Sequence, residues 1–173
     1  MPGMDLLALA LLGVMPALLI VGGLHDLLTM KIPNWISGFL VLAFLPAALA
    51  VGLSPTEMAI HFGVGVLALL TGAGLFALRW VGGGDAKLMA AACLWFGFAG
   101  SGMFLLWTAL MGGLLCLILL FARANLRPFV VAGPGWMSRL MEPRGDIPYG
   151  VAIAAGALLA WPASPLMLRF IGA

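Results

Sequence analysis

Gly82-Gly83-Gly84-Asp85-Ala86-Lys87 interrupts a chain that is otherwise almost all hydrocarbon. Three residues without side chains are followed by a carboxylate and, two positions on, an ammonium. An acid beside lipid is costly, roughly +2.5 to +3.5 kcal/mol at a helix centre on insertion scales, so a carboxylate at membrane depth points to function. The plain alternative is a glycine-rich turn between two spans, with Asp85 as N-cap of the helix that follows. What decides between them is whether the chain brings a second acid to face the first.

Around this stretch, 64% of the 173 residues are hydrophobic and only 8% are charged, against about 25% charged in soluble domains. The fold class this implies is an all-α, polytopic membrane bundle, with the lipid bilayer as its solvent. The basic residues are few and scattered, which excludes a nucleic-acid footprint. Cys93 and Cys116 lie in apolar runs and form no CxxC, so neither a structural zinc site nor a disulfide framework is expected. No metal and no cofactor are expected. The N-terminal Met1-Pro2-Gly3-Met4-Asp5 lacks the basic region of a cleaved signal, and the apolar run behind it reads as a permanent span.

Six apolar segments predict six transmembrane helices in one domain, over approximately 4–24, 35–53, 58–78, 86–99, 103–122 and 148–171. A run of about 20 residues crosses about 30 Å of hydrocarbon. The first segment ends in a polar-punctuated connection, 25–34, where Pro33 resists helix geometry at Ile32 and Asn34 can cap the next helix. Ser54 and Pro55 suit the N-cap and N1 positions of the third. Gly63, Gly65, Gly72 and Gly74 suit close helix contact. Gly100-Ser101-Gly102 is the expected break between the fourth and fifth. Trp136 to Met141 suits a short interfacial helix. Alternating the loops puts Lys31, Arg79, Lys87, Arg123, Arg127, Arg139 and Arg144 on one side, seven of the eight basic residues. Arg169 falls on the other side with Asp5 and Glu57. The crowded side is predicted to be cytoplasmic.

This topology supplies the second acid. Asp26 ends the first span and Asp85 begins the fourth, so both reach the same face although they are 59 residues apart. Glu142 and Asp146 share that face but sit in a basic loop, where pairing with Arg139 or Arg144 is expected. Two carboxylates brought together hold one proton between them. The ionised member can take a proton from water that attacks a carbonyl, and the protonated member can polarise that carbonyl. The bare backbone of Gly82 and Gly84 would let a substrate strand approach Asp85. Lys31 and Lys87 flank the acids and could hold one ionised, or could serve as topology anchors. His25 could tune Asp26. His61 is on the wrong side for that chemistry, and helical pairing with Glu57 accounts for it.

Three motifs then carry a resemblance. Gly82-Gly83-Gly84-Asp85 fits the GxGD motif of membrane aspartyl proteases. His25-Asp26, followed by a short run to Ile32-Pro33-Asn34, resembles the first-aspartate segment of prepilin peptidases. Pro148-Tyr149-Gly150 is similar to the motif that opens their last helix. In this order they span nearly the whole chain, which is specific where a lone GxGD is not. The resemblance implies an aspartic-type endopeptidase of the bacterial cytoplasmic membrane. It would remove the short basic leader from prepilin or pseudopilin precursors at the cytoplasmic face, with pilus assembly or secretion machinery as possible further partners. Asp26 and Asp85 carry over as the catalytic pair. Larger members of that family have a cytoplasmic insert with paired CxxC motifs and also methylate the new N-terminus. This chain lacks both features and resembles the short form of tight-adherence (Flp-type) pili, so no methyltransferase activity is expected. Two other classes compete: a transporter or proton relay, whose acids would lie near mid-membrane, and a non-catalytic pilus or secretion assembly factor in which Asp85 is only a cap.

Overall fold

The computed structural model describes residues 2–125, 134–143 and 145–172, with side chains from residue 6 onward in that range. Arg127 and Arg144, and the side chain of Asp5, lie outside the described residues. The elements are α1 (Pro2–Thr29), α2 (Asn34–Ala50), α3 (Pro55–Ala77), α4 (Gly83–Asn125), the short α5 (Gly135–Leu140), α6 (Tyr149–Ala160), a 3-10 turn (Trp161–Ala163) and α7 (Pro165–Ile171). No strand occurs among the described residues. Four segments are long and apolar enough to cross a membrane: Leu6–Thr29, Pro55–Ala77, Gly83–Asn125 and Tyr149–Ile171. The apolar α2 is shorter, at 17 residues. The chain is an all-α polytopic membrane bundle.

A straight helix of 43 residues would run about 65 Å, twice a bilayer's hydrocarbon. α4 is not straight. Gly97 has φ +58° and ψ −169°, a conformation open essentially to glycine alone, and here the chain doubles back. The rings of Phe96 and Phe104 stack at 4.8 Å. The Ser101 hydroxyl lies 2.6 Å from the Gly97 carbonyl and 3.3 Å from that of Cys93. Eight residues of continuous helix would separate such groups by about 12 Å. α4 is therefore two antiparallel arms, the fourth and fifth rods of the bundle. The break falls at Gly97 and not at Gly100-Ser101-Gly102, which is helical throughout.

The His61 ring explains the choice. It is buried, and a Cβ on Gly97 would lie 2.6 Å from it. Its Nδ1–H donates to the Leu94 carbonyl at 2.7 Å, satisfying a group freed by the turn. His61 thus serves the α4 hairpin and not Glu57. Glu57 instead closes a capping box with Ser54 and pairs with Arg169. Asn34 also departs from expectation: it is the first residue of α2, with Pro33 ahead of it, and makes no cap. Ser54 caps α3 with Pro55 at N1, as its sequence predicts.

Lipid offers apolar side chains no reason to leave it, so the rods are held by close packing of small residues. A Cβ on Gly72 would sit 3.0 Å from that of Ala86, and one on Gly65 would sit 3.1 Å from Leu94 Cβ, which brings α3 onto the first arm of α4. Gly63 and Gly74 face open space. Gly156 of α6 lies against the Thr108 backbone on the second arm, where a Cβ would come within 2.5 Å of its nitrogen. α4 is the centre of the bundle, packed by α3, α6 and α2, and α6 also packs on α1. The last span is interrupted: the 3-10 turn at Trp161-Pro162-Ala163 separates α6 from α7, which Ser164 caps.

Candidate active site

α1 does not stop at Leu24 but continues through Asp26 to Thr29. Asp26 occupies the last turn, where its backbone carbonyl accepts from the Met30 N–H at 2.7 Å. Met30 takes the left-handed conformation (φ 56°) that ends the helix. The Asp26 side chain is 6% exposed. Its Oδ2 accepts the N–H of Gly150 at 2.8 Å. That N–H belongs to the first turn of α6, where backbone donors have no helical partner and the helix dipole is positive.

Asp85 lies in the first turn of its own helix, where Asp26 lies in the last turn of α1. Gly82 precedes α4 and its carbonyl takes the Ala86 N–H at 3.0 Å, so Asp85 is the third residue of the helix and not its cap. It is half-buried. The two carboxylates, one against the N-terminus of α6 and one in that of α4, line the same two cavities. One, of about 600 Å³, is bounded by Asp26, Met30, Trp80, Gly82, Asp85, Met89, Asp146 and Tyr149. The other, of about 320 Å³, is bounded by Asp26, Met30, Lys31, Ile32, the glycines 82–84 and Asp85. Both volumes fall in the range of ligand pockets, about 300–1,000 Å³.

The glycines divide their work. Gly82 lines both cavities, and a Cβ there would come within 2.6 Å of Asp85 Oδ2. A Cβ on Gly84 would meet the Ile32 Cβ at 3.1 Å, so its bare backbone seats the α1–α2 connection. A Cβ on Gly150 would meet Ile32 Cδ1, Asp26 Cβ and Asp26 Oδ2, each at 3.0 Å. Ile32 is thus a wedge between the starts of α4 and α6, the first carrying Asp85 and the second donating its Gly150 amide to Asp26. Pro148 is buried and precedes α6; Tyr149 lines the larger cavity and rests on Gly112, where a Cβ would lie 2.5 Å from its ring.

The flanking polar residues serve the scaffold. His25 Nδ1 lies 2.7 Å from the Lys31 carbonyl and the Thr29 hydroxyl donates to the His25 carbonyl at 2.8 Å, which ties the connection after α1. Lys31 lines the smaller cavity. Lys87 donates to Asn34 Oδ1 at 3.0 Å in an exposed position.

Met30, Trp80 and Met89 also line the cavities, and nothing in the sequence marks them. Ile32 belongs to the Ile32-Pro33-Asn34 motif and lines the smaller cavity. Asp146, expected to be absorbed by loop ion pairs, borders the acid cavity. Arg139 donates to the carbonyls of Gly135 and Leu28. Among the described residues no three of His, Cys, Asp and Glu are grouped so as to hold a metal ion.

The bundle is polytopic and carries two carboxylates on shared cavities at one end. The type IV leader peptidase family model matches residues 13–117, which include both Asp26 and Asp85, and the chain belongs to that family. Pro148-Tyr149-Gly150 lies beyond the matched segment. No curated protein and no solved structure matches the chain.

Proposed function

We propose that this leader peptidase family member is an aspartic-type endopeptidase in which Asp26 and Asp85 activate the water that cleaves the substrate. The observation that carries the reading is the convergence of two carboxylates, 59 residues apart, on shared cavities at the ends of their helices. In the reaction, the ionised member of the pair removes a proton from water as the oxygen attacks the scissile carbonyl. The protonated member donates to the carbonyl oxygen, and collapse of the tetrahedral diol delivers a proton to the leaving nitrogen. The pair acts as a unit, so acid and base are not assigned to one residue each.

The substrate inferred is a type IV pilin-like precursor of the Flp type, cut at its short basic leader and left unmethylated. The larger cavity, which Val81 also lines, shares Val81 and Met89 with an apolar cleft of about 550 Å³ between α3 and the two arms of α4. This supports a substrate with an apolar segment beside its scissile bond. Lys31, Arg79, Lys87, Arg123 and Arg139 belong to the Asp26 end of the bundle, and Arg169 pairs with Glu57 at the other. By the positive-inside rule this supports a cytoplasmic active site in the inner membrane. A proton relay is disfavoured because both acids lie in terminal turns, and a mere capping role because Gly82 holds the position before the helix.

The test compares purified wild type, Asp26→Asn and Asp85→Asn on a candidate Flp-type precursor, read by gel shift and by the mass of the new N-terminus. Each variant is expected to lose about 100-fold or more, the contribution of a positioned acid or base. Cleavage by either at the wild-type rate removes the paired-acid mechanism. A methylated product removes the methyl-free reading, and failure of the wild type on all pilin-type precursors removes the substrate class.

A further inference from the structure

Arg123 stands near the end of the second arm of α4, where the sequence reads it as one of several positive anchors. Each of its three guanidinium nitrogens donates to a backbone carbonyl. Nε donates to the Leu140 carbonyl at 2.8 Å, Nη1 to Gly145 at 3.0 Å and Nη2 to Asp146 at 2.8 Å. A planar fork of fixed donors suits such a task, and an ammonium does not reproduce it. The three acceptors lie at the end of α5 and in the connection that runs into α6. Only Ile147, Pro148 and Tyr149 separate Asp146 from Gly150, whose N–H holds Asp26. The same arm of α4 provides the Gly112 notch for Tyr149. The connection is therefore strapped to α4 at two points, one by hydrogen bonds and one by shape. A third tie, from Arg139 Nη2 to the Leu28 carbonyl at 3.2 Å, fastens α5 to the last turn of α1, two residues beyond Asp26.

We propose that Arg123 is a positioning residue for the acid pair: by clamping Leu140, Gly145 and Asp146 to α4 it delivers the Gly150 amide to Asp26 and holds that carboxylate toward Asp85. The proposal rests on the peptidase reading for its kinetic consequence but not for its structural one. Arg123 touches neither carboxylate and works through main chain alone. The clamp grips Asp146, a residue of the larger cavity's wall, by its backbone carbonyl. A simple topology anchor needs only a positive charge at that depth, which lysine supplies equally well.

The experiment uses Arg123→Lys and Arg123→Ala in the full-length protein. Hydrogen exchange is followed on the peptide carrying Gly150 and on a reference peptide from the middle of α6, with no substrate present. The clamp predicts at least about tenfold faster exchange at the Gly150 segment in both variants, with the reference unchanged, as for local opening of one connection. Unaltered exchange at that segment overturns the proposal whatever the enzyme cleaves. Cleavage kinetics follow on a precursor the wild type processes. Misplacement of a reacting group by about 1 Å costs on the order of 100-fold, so kcat is expected to fall about that far in both variants while KM stays within a fewfold. In combination with Gly150→Ala, Arg123→Lys is expected to add little further loss, since both break one linkage. Wild-type kcat in Arg123→Lys overturns the proposal in favour of a charge anchor. Lower yield with unaltered kcat per folded molecule overturns it in favour of a purely structural role.

Discussion

Replacing Gly150 with alanine is the most incisive perturbation of the site, because the added methyl meets three atoms on two different elements. Its Cβ would lie 3.0 Å from Asp26 Cβ, from Asp26 Oδ2 and from Ile32 Cδ1. Non-bonded carbons settle at about 3.5–4.0 Å. Rotation of one side chain does not relieve all three contacts, since one of them is to the Cβ of Asp26 itself. The start of α6 must therefore retreat by about 0.5–1 Å. The Gly150 N–H to Asp26 Oδ2 bond, now 2.8 Å, would stretch to roughly 3.3–3.8 Å, outside the usual range for N–H···O. A hydrogen bond to a charged group is worth about 1.5–3 kcal/mol, which at about 1.4 kcal/mol per decade corresponds to a roughly 10- to 150-fold loss of kcat/KM. The assay is initial-rate cleavage of a precursor by detergent-solubilised enzyme, normalised to the monodisperse fraction. Activity within threefold of wild type would refute the claim that the α6 amide holds Asp26 for reaction.

Gly82→Ala places a methyl 2.6 Å from Asp85 Oδ2, and the carboxylate can swing clear; unfolding in detergent should barely change while cleavage falls about 10- to 100-fold. Lys87→Ala removes only the exposed contact to Asn34, so kcat/KM should change less than about fivefold, since such surface pairs are worth at most ~1 kcal/mol; a hundredfold loss would give Lys87 a direct part in substrate binding. Gly97→Ala forces a side chain into φ +58° against the His61 ring and should cost roughly 2–6 kcal/mol of stability. Denaturation in mixed micelles reads that cost, and cleavage per folded molecule should be little altered.

The acid pair was legible because charge is conspicuous in an apolar chain. Two carboxylates and their loop parity are enough to put Asp26 and Asp85 on one face, without any knowledge of packing. The scaffold around them was less legible where local composition and tertiary contact disagree. Gly100-Ser101-Gly102 looks like a break, yet Ser101 is helical and turns its hydroxyl back to Gly97. The actual break is set by a ring from another helix, 36 residues away in sequence. His61 and Glu57 have helix-pair spacing, but each finds a stronger partner elsewhere. Arg123 and Asp146 carried no depth signal at all. A basic residue at a span end looks the same whether it anchors the topology or grips three carbonyls.

The backbone around the site repeats one choice. α1 and α3, the helices that lead into the two connections beside the acids, are both followed by a non-glycine residue in the left-handed region, Met30 at φ 56° and Arg79 at φ 60°. At the opposite end of the bundle, α2 ends in the same region with Gly52 at φ 74°. The left-handed conformation costs a residue with a Cβ about 1–2 kcal/mol, a cost glycine escapes. A glycine would therefore be the more stable terminator at 30 and 79, as it is at 52. The difference is what the side chains border. Met30 lines both cavities between the acids, and Arg79 lines a hollow of about 560 Å³ that it shares with Trp80 and Gly82. Gly52 only offers its carbonyl to Arg169. Strain is thus retained at Met30, which lines both acid cavities, and at Arg79, which borders a neighbouring hollow that holds neither acid, and it is absent at Gly52. Backbone strain of this kind persists only where the surrounding contacts over-determine it.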